Sequence, residues 1–78
     1  MFFAKKEIIE LEDKNYLVLN STVINNEVYY EVCEVNLEED TLDDNKIYIQ
    51  AIKEFGSLYV EEVKDNNIIA LLKDALEG

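Results

Sequence analysis

Carboxylates are the most numerous side chains in this sequence that could do chemistry. Residues 37 to 45, LEEDTLDDN, hold five of them in nine positions: Glu38, Glu39, Asp40, Asp43 and Asp44. Such a cluster can bind a cation, present negative charge to a basic partner, or form a solvated connection between two elements. The spacing of the residues tests the first of these interpretations.

An EF-hand calcium loop requires acidic or amide residues at positions one, three and five, glycine at six and glutamate at twelve. With Asp40 as position one, Leu42 stands at three, Asn45 at six and Ala51 at twelve, so the pattern fails at those positions. Zinc is disfavoured because the chain has one cysteine and no histidine. We predict no metal site and no cofactor. Weak, non-specific cation binding by the clustered carboxylates is left open.

The chain lacks the residue that most enzymes use for proton transfer at neutral pH. It has no histidine, so a serine or cysteine nucleophile would lack its familiar base. Cys33 lies among apolar residues in a β-like stretch, where a thiol is usually an inert core residue. Paired carboxylates can hydrolyse glycosides, but a chain of 78 residues has little room for a deep cleft. We therefore predict that the protein is not an enzyme.

The charge balance indicates which partners the protein meets. Eighteen acidic residues stand against seven lysines, which gives a formal net charge of −11. Direct binding to nucleic acid is disfavoured, because phosphate contacts depend on Lys and Arg. The same charge favours fast association with basic surfaces. A simpler explanation also stays open, in which the acidity only keeps a small protein in solution.

Length and composition predict one small domain, residues 1–78, with a thin core supplied by 49% hydrophobic residues. The sequence contains a single cysteine, no apolar run of membrane length and no signal-peptide pattern. We therefore expect a cytoplasmic protein that does not bind membranes.

Most of the chain has the composition of β-strands separated by tight turns. The predicted strands are rich in β-branched and aromatic residues and cover residues 7 to 12, 16 to 24, 27 to 35, 46 to 55 and 57 to 63. Asn25-Asn26 and Gly56 predict tight hairpin turns. Residues 2 to 12 also suit a helix, and this alternative stays open. The acidic residues 37 to 45 are then predicted to be the loop that joins two hairpins.

After Asp65 the apolar period changes to that of a helix. The apolar residues recur at spacings of three and four, as Ile68, Ile69, Leu72, Ala75 and Leu76. Asp65 or Asn66 can cap this helix, and Gly78 stands where a helix stop is expected. The predicted fold class is α+β, a five-stranded, mainly antiparallel β-meander with one C-terminal helix packed on the sheet.

Side-chain alternation along the predicted strands places tyrosine and glutamate on one outward face. This face comprises Tyr29, Glu31, Tyr48, Gln50, Tyr59 and Glu61. Tyrosine supplies large, rigid contact area at interfaces, and glutamate complements Lys or Arg. We predict that these tyrosines and glutamates bind a partner together with the five carboxylates of residues 37 to 45. The alternative is that the tyrosines pair across the sheet for stability and the helix covers them.

The order of these features resembles the YrzB-like family of small acidic bacterial proteins. The resemblance covers residues 8 to 76 and consists of IIELEDKNYLVLNSTVINNEVYYEVCEVN, an acidic break, KIYIQAIKEFGSLYVEEV and a final NNIIALLKDAL. It implies a compact β-rich domain with no established activity, so it assigns no functional residue. The chain departs from the family at Asp13-Lys14-Asn15, where a glycine-containing turn is expected.

These observations together predict a non-enzymatic acidic protein that binds a basic surface of a partner protein. Glutamates on one face of a strand repeat at about 6.6 Å, a spacing comparable to that of a nucleic-acid backbone, so the protein could act as a decoy that inhibits a nuclease. Small phage proteins that inhibit host nucleases, including anti-CRISPR proteins, are often similar to this chain in size and acidity. The alternatives are an antitoxin- or immunity-type binder of a basic toxin and a small housekeeping domain of unknown function. Pairing of two chains through a strand edge is also left open.

Overall fold

The computed structural model describes residues 2 to 77, without the side chains of Asp44 and Glu77. Its elements are β1 (Ile8–Leu11), β2 (Lys14–Ile24), β3 (Glu27–Asn36), β4 (Thr41–Glu54), β5 (Ser57–Glu62) and α1 (Asn66–Glu77). Neighbouring strands pair antiparallel in the order β1-β2-β3-β4-β5. The predicted α+β meander with a C-terminal helix is confirmed, and residues 7 to 12 contain a strand. Gly78, the expected helix stop, lies outside the described residues.

Three of the hairpins turn through two residues with positive φ, namely Glu12-Asp13, Asn25-Asn26 and Phe55-Gly56. Asparagine and glycine tolerate this conformation, and the predicted turns at Asn25-Asn26 and Gly56 are confirmed. Glu12 and Phe55 have φ values of 52° and 51°, which ordinary side chains rarely adopt. The pairing of the strands on either side therefore holds these two residues in an unfavourable conformation.

The connection between β3 and β4 is shorter than the sequence predicts. Residues 37 to 40 form the turn, and Thr41 already pairs with Asn36 at the start of β4. The prediction that all of residues 37 to 45 form a loop is therefore wrong. Strand pairing uses main-chain groups, so polar residues next to a paired strand can extend the ladder even where their side chains carry no strand pattern.

One face of the sheet holds a cluster of buried residues, Ile9, Tyr16, Val18, Tyr30, Val32, Ile49 and Ala51. The N-terminal segment lies against Tyr30. The backbone N–H groups of Phe2 and Phe3 donate to its hydroxyl at 2.9 and 3.0 Å, and the Phe3 ring meets its ring edge-on at a centroid distance of 5.2 Å. Both the polar and the apolar parts of this buried tyrosine are thus partnered.

Helix α1 begins at a side-chain cap. The N–H of Asn67 donates to the Asp65 carboxylate at 2.8 Å, and the N–H of Ile69 donates to the Asp65 carbonyl at 2.9 Å. These bonds satisfy N–H groups that the first helical turn cannot pair internally. Asp65 is therefore the N-cap, one of the two residues that the sequence proposed.

The helix covers part of the second face of the sheet, which we call the helix-bearing face. The cluster between helix and sheet consists of Tyr29, Tyr48, Val63 and Leu72, with Ile24, Ile68, Ile69 and Leu76 packed against it. Leu72 is completely buried, whereas Ala75, also predicted in the apolar stripe, is exposed. The apolar stripe that the helix packs against the sheet is therefore narrower than the sequence predicts.

Candidate interaction surface

Two acidic turns lie side by side at one end of the sheet. Because β2 pairs with β3 in antiparallel register, with Tyr16 opposite Glu34, the β1–β2 turn and the β3–β4 turn are at the same end. We call this the acidic end; its carboxylates are Glu12, Asp13, Glu34, Glu38, Glu39, Asp40 and Asp43. Glu34 is partly exposed and the others are exposed. A shallow hollow of about 460 Å³ separates the two turns, lined in part by Asp13, Glu34 and Glu38.

The β3–β4 turn is held by the Asn36 side chain. Its Oδ1 atom accepts hydrogen bonds from the N–H groups of Glu38 and Glu39, at 3.0 and 3.1 Å. Asp40 follows with a φ of 55°, a conformation that Asp tolerates better than most residues. The main-chain amides of Glu38 and Glu39 are therefore hydrogen-bonded within the turn, and the side chains of these two residues are exposed.

Strand β4 is irregular next to this turn. The β3–β4 register shifts between Cys33 and Val35, so that β4 carries extra residues before Lys46. Within this irregularity the N–H of Asn45 donates to Oδ1 of Asp43 at 2.9 Å. Asp43 is exposed beside the turn. The side chain of Asp44, from the same predicted set, lies outside the described part of the chain.

Lys14 partly offsets the negative charge of the acidic end. Its Nζ atom lies 3.7 Å from Oε1 of Glu34, and both side chains are substantially exposed to solvent. An exposed pair of this kind contributes only about 0–1 kcal/mol to stability. The pair therefore neutralises one carboxylate without altering the sign of the surface around it.

The predicted tyrosine and glutamate face splits into a buried part and an exposed part. Cross-strand pairs join Tyr29 to Gln50, Glu31 to Tyr48 and Gln50 to Glu61, which confirms that they share one face. However, Tyr29, Glu31 and Tyr48 are each only 5% exposed. The prediction that these three face outward is wrong, because α1 packs on the tyrosines, as the alternative interpretation held.

Glu31 has a structural partner in this buried region. The Tyr48 hydroxyl donates to Oε2 of Glu31 at 3.4 Å. Burying a carboxylate costs free energy unless the carboxylate is hydrogen-bonded. The hydrogen bond from Tyr48 therefore offsets part of the cost of burying Glu31. In this arrangement neither side chain is available to a partner protein.

Tyr59 and Glu61 are exposed on β5, the edge strand at the far side of the sheet. They belong to the helix-bearing face but lie two strands away from β3. The predicted partner-binding residues therefore occupy three places: the acidic end, the helix-covered core and an edge strand. Of the predicted residues whose side chains the structure describes, several lie together in solvent only at the acidic end.

An apolar groove borders the acidic end and was missed by sequence reasoning. Its apolar lining consists of Ile8, Leu17, Val35, Leu37 and Leu42, and it encloses about 310 Å³. Leu37 and Leu42 are 57% and 60% exposed, so they do not attach the acidic stretch to the core. The sequence signal for this groove was the pair of leucines inside a run of carboxylates. Whether these leucines are exposed depends on strand register, which the sequence does not reveal.

The groove continues the helix-bearing face. Alternation along β3 puts Val35 and Cys33 on the same side as the helix-covered Tyr29. Leu17 pairs with Cys33, Ile8 with Leu17, and Leu42 with Val35, so the groove residues share that side. This face therefore has one half covered by α1 and one half that α1 does not cover, where Val35 is buried and Leu37 and Leu42 are exposed.

Burial raises the pKa of the Cys33 thiol, which lies between the two halves and is buried. The Lys46 ammonium opposes this effect, while the Asp43 and Glu31 carboxylates raise the pKa further. A thiol with a raised pKa is mostly protonated at neutral pH and is a poor nucleophile. Its burial confirms the predicted place of Cys33 in the core, and its lack of reactivity stays a prediction.

Burial likewise raises the pKa of the Tyr16 and Tyr29 hydroxyls. At Tyr16 the Lys14 ammonium opposes this effect, and at both tyrosines nearby glutamates add to it. Within the described residues, no group of three or more His, Cys, Asp and Glu side chains is positioned to hold a metal ion. No helix in the described part of the chain is long and apolar enough to cross a membrane.

Comparisons with known proteins identify no relative of this chain. No family model matches it, and no curated protein or solved structure is significantly similar. The resemblance to the YrzB-like family therefore stays a prediction.

Proposed function

We propose that this protein is a non-enzymatic, acidic interaction protein that binds a basic surface of a partner protein in the cytoplasm. The observation that carries the proposal is the acidic end, where carboxylates from two separate hairpin turns are exposed next to each other. Residues far apart in the sequence, such as Asp13 and Glu38, line one shallow hollow there.

Electrostatics support this surface as the contact. A net charge of −11 on a small chain speeds encounter with basic surfaces, and clustering at one end orients the encounter. The neighbouring lysine, Lys14, is paired with Glu34, so it does not present an unbalanced positive charge to a partner. Exposed carboxylates are suited to charge-charge recognition, whereas a catalytic acid normally needs a desolvated site.

A specific form of the proposal is a nucleic-acid decoy that inhibits a nuclease, as small phage inhibitors of restriction or CRISPR enzymes do. Carboxylates presented on turns and strands at spacings of several ångströms can occupy lysines and arginines that otherwise bind phosphates. An antitoxin- or immunity-type protein is the second candidate, supported by the apolar groove, because specific protein complexes combine a charged rim with apolar contact.

Two matched variants test the contact surface. E38Q/E39Q/D40N removes three negative charges from the acidic end, and E27Q/E54Q/D74N removes three exposed charges elsewhere. Each is immobilised and used to capture basic proteins from a bacterial lysate at low and high salt. We expect the acidic-end variant to lose most of the salt-sensitive capture of the wild-type chain and the control variant to keep it.

Equal capture by both variants would contradict the proposed contact surface, and no salt-sensitive capture by the wild type would contradict the proposed function. Competition with DNA then distinguishes a nucleic-acid decoy from an immunity-type binder. Duplex DNA should release a partner that is held through its nucleic-acid site, whereas an immunity-type complex should resist DNA.

A further inference from the structure

The apolar groove is an uncovered continuation of a face that already binds a helix. Helix α1 has 12 residues and is therefore about 18 Å long, while β3 has 10 residues and spans about 33 Å. The helix packs on the part of this face around Tyr29 and Tyr48. The rest, including Leu37 and Leu42, has no described element covering it.

We infer that this groove takes an amphipathic helix of a partner protein, with an apolar stripe on the groove and lysines or arginines beside it. The inference rests on the proposed function and specifies the partner. The chain itself provides the precedent, since α1 lays Ile69 and Leu72 on the neighbouring half of the same face. Helix-in-groove binding of this kind uses apolar residues at spacings of three and four.

Charge complementarity decides which helix fits. Asp40 lines the groove, and Glu10 lies on the same face two residues from Ile8. Beyond the groove, the Asp43 carboxylate raises the pKa of Cys33 and the Lys46 ammonium opposes this effect. Together with the adjoining acidic end, these groups favour a basic helix. They disfavour a second copy of this chain, which would bring another groove with the same carboxylates.

The test uses two labelled peptides of about 18 residues that differ only in their apolar stripe. One carries leucines at helical spacing with lysines between them; the other replaces each leucine by glutamine and keeps every lysine. Fluorescence anisotropy at low salt measures their affinity for the wild-type chain. We expect the leucine peptide to bind about tenfold or more tighter, because burying even one leucine side chain is worth that much.

Variants of the chain locate the binding. L37S/L42S removes the exposed leucines of the groove, and L71S removes a similarly exposed leucine of α1 as the control. We expect L37S/L42S to abolish the preference for the leucine peptide and L71S to keep it. The circular dichroism spectra of both variants should match that of the wild type, since the replaced side chains are already in solvent.

Other outcomes separate this inference from the proposed function. Equal affinity of the two peptides, with salt-sensitive binding of both, would overturn the groove inference and leave charge-based recognition intact. No binding of either peptide at low salt would contradict both. A dimer in sedimentation velocity that L37S/L42S dissociates would show that a second copy occupies the groove, and this too overturns the inference.

Discussion

The two halves of the helix-bearing face both carry large apolar side chains, but these side chains are exposed to different extents. The covered half presents Tyr29 and Tyr48, both buried, and the open half presents Leu37 and Leu42, both mostly in solvent. The difference comes from the length of α1, which is too short to cover a face built on strands of 10 to 14 residues. One half therefore stabilises the fold, and the other is free to contact a partner.

The largest effect on stability is expected when a leucine is removed from the covered half. Leu72→Ala should lower the free energy of unfolding by about 2–5 kcal/mol, because it leaves a cavity under a completely buried side chain. Urea unfolding followed by circular dichroism measures the loss. Leu71→Ala is the control one residue away; Leu71 is 53% exposed, and its loss should stay within about 0.5 kcal/mol. Similar losses in the free energy of unfolding of both variants would mean that the helix does not bury this half of the face.

A smaller effect is expected at the start of the helix. Asp65→Ala removes the carboxylate that accepts the Asn67 N–H, and should lower the free energy of unfolding by about 1 kcal/mol. Asp65→Asn keeps an acceptor at the same position and should retain most of that stability. Both are measured by urea unfolding. An unchanged midpoint for Asp65→Ala would argue against the cap.

The turns at opposite ends of β2 allow glutamate and asparagine to be exchanged in both directions. Glu12 and Asn25 both occupy the first position of a two-residue turn, with φ values of 52° and 51°. Glu12→Asn should raise the free energy of unfolding by about 0.5–1 kcal/mol, and Asn25→Glu should lower it by a similar amount, because asparagine tolerates this conformation. Thermal unfolding of the two variants measures both. If Glu12→Asn also weakens binding of the leucine peptide, the negative charge of Glu12 contributes to that binding. The acidic end then has a residue that is unfavourable for the turn but useful for its charge.

The smallest effect concerns pH and Cys33, between the two halves. Burial raises the pKa of its thiol, so the folded chain holds this proton more tightly than the unfolded chain. The resulting stability is fully present below the usual thiol pKa and is lost as the pH rises through the raised value. In urea titrations from about pH 8 to about pH 11, Cys33→Ala should flatten the first part of this decline. The later part should remain, because the pKa values of Tyr16 and Tyr29 are raised as well. An identical profile in Cys33→Ala would exclude the thiol as its source.

Local patterns were sufficient to predict most of the fold. Alternating β-branched and aromatic residues predicted the strands, Asn25-Asn26 and Gly56 predicted two turns, and the helical spacing around Leu72 predicted α1. The extent of the acidic connection was wrong, because Thr41 and Leu42 pair through main-chain groups that no side-chain pattern reveals. Exposure was also wrong for Tyr29, Glu31 and Tyr48. Alternation predicts which residues share a face but not what packs on that face.

The sequence by itself determined the charge, the type of most elements and which of the predicted residues of β3, β4 and β5 share a face. These follow from residue types and from local spacing, which one chain segment contains in full. Only the tertiary structure decided that Asp13 and Glu38 line the same hollow and that α1 buries Tyr48 while leaving Leu42 in solvent. Such outcomes depend on register between distant strands and on helix length relative to the sheet, and both are set by packing across the whole molecule.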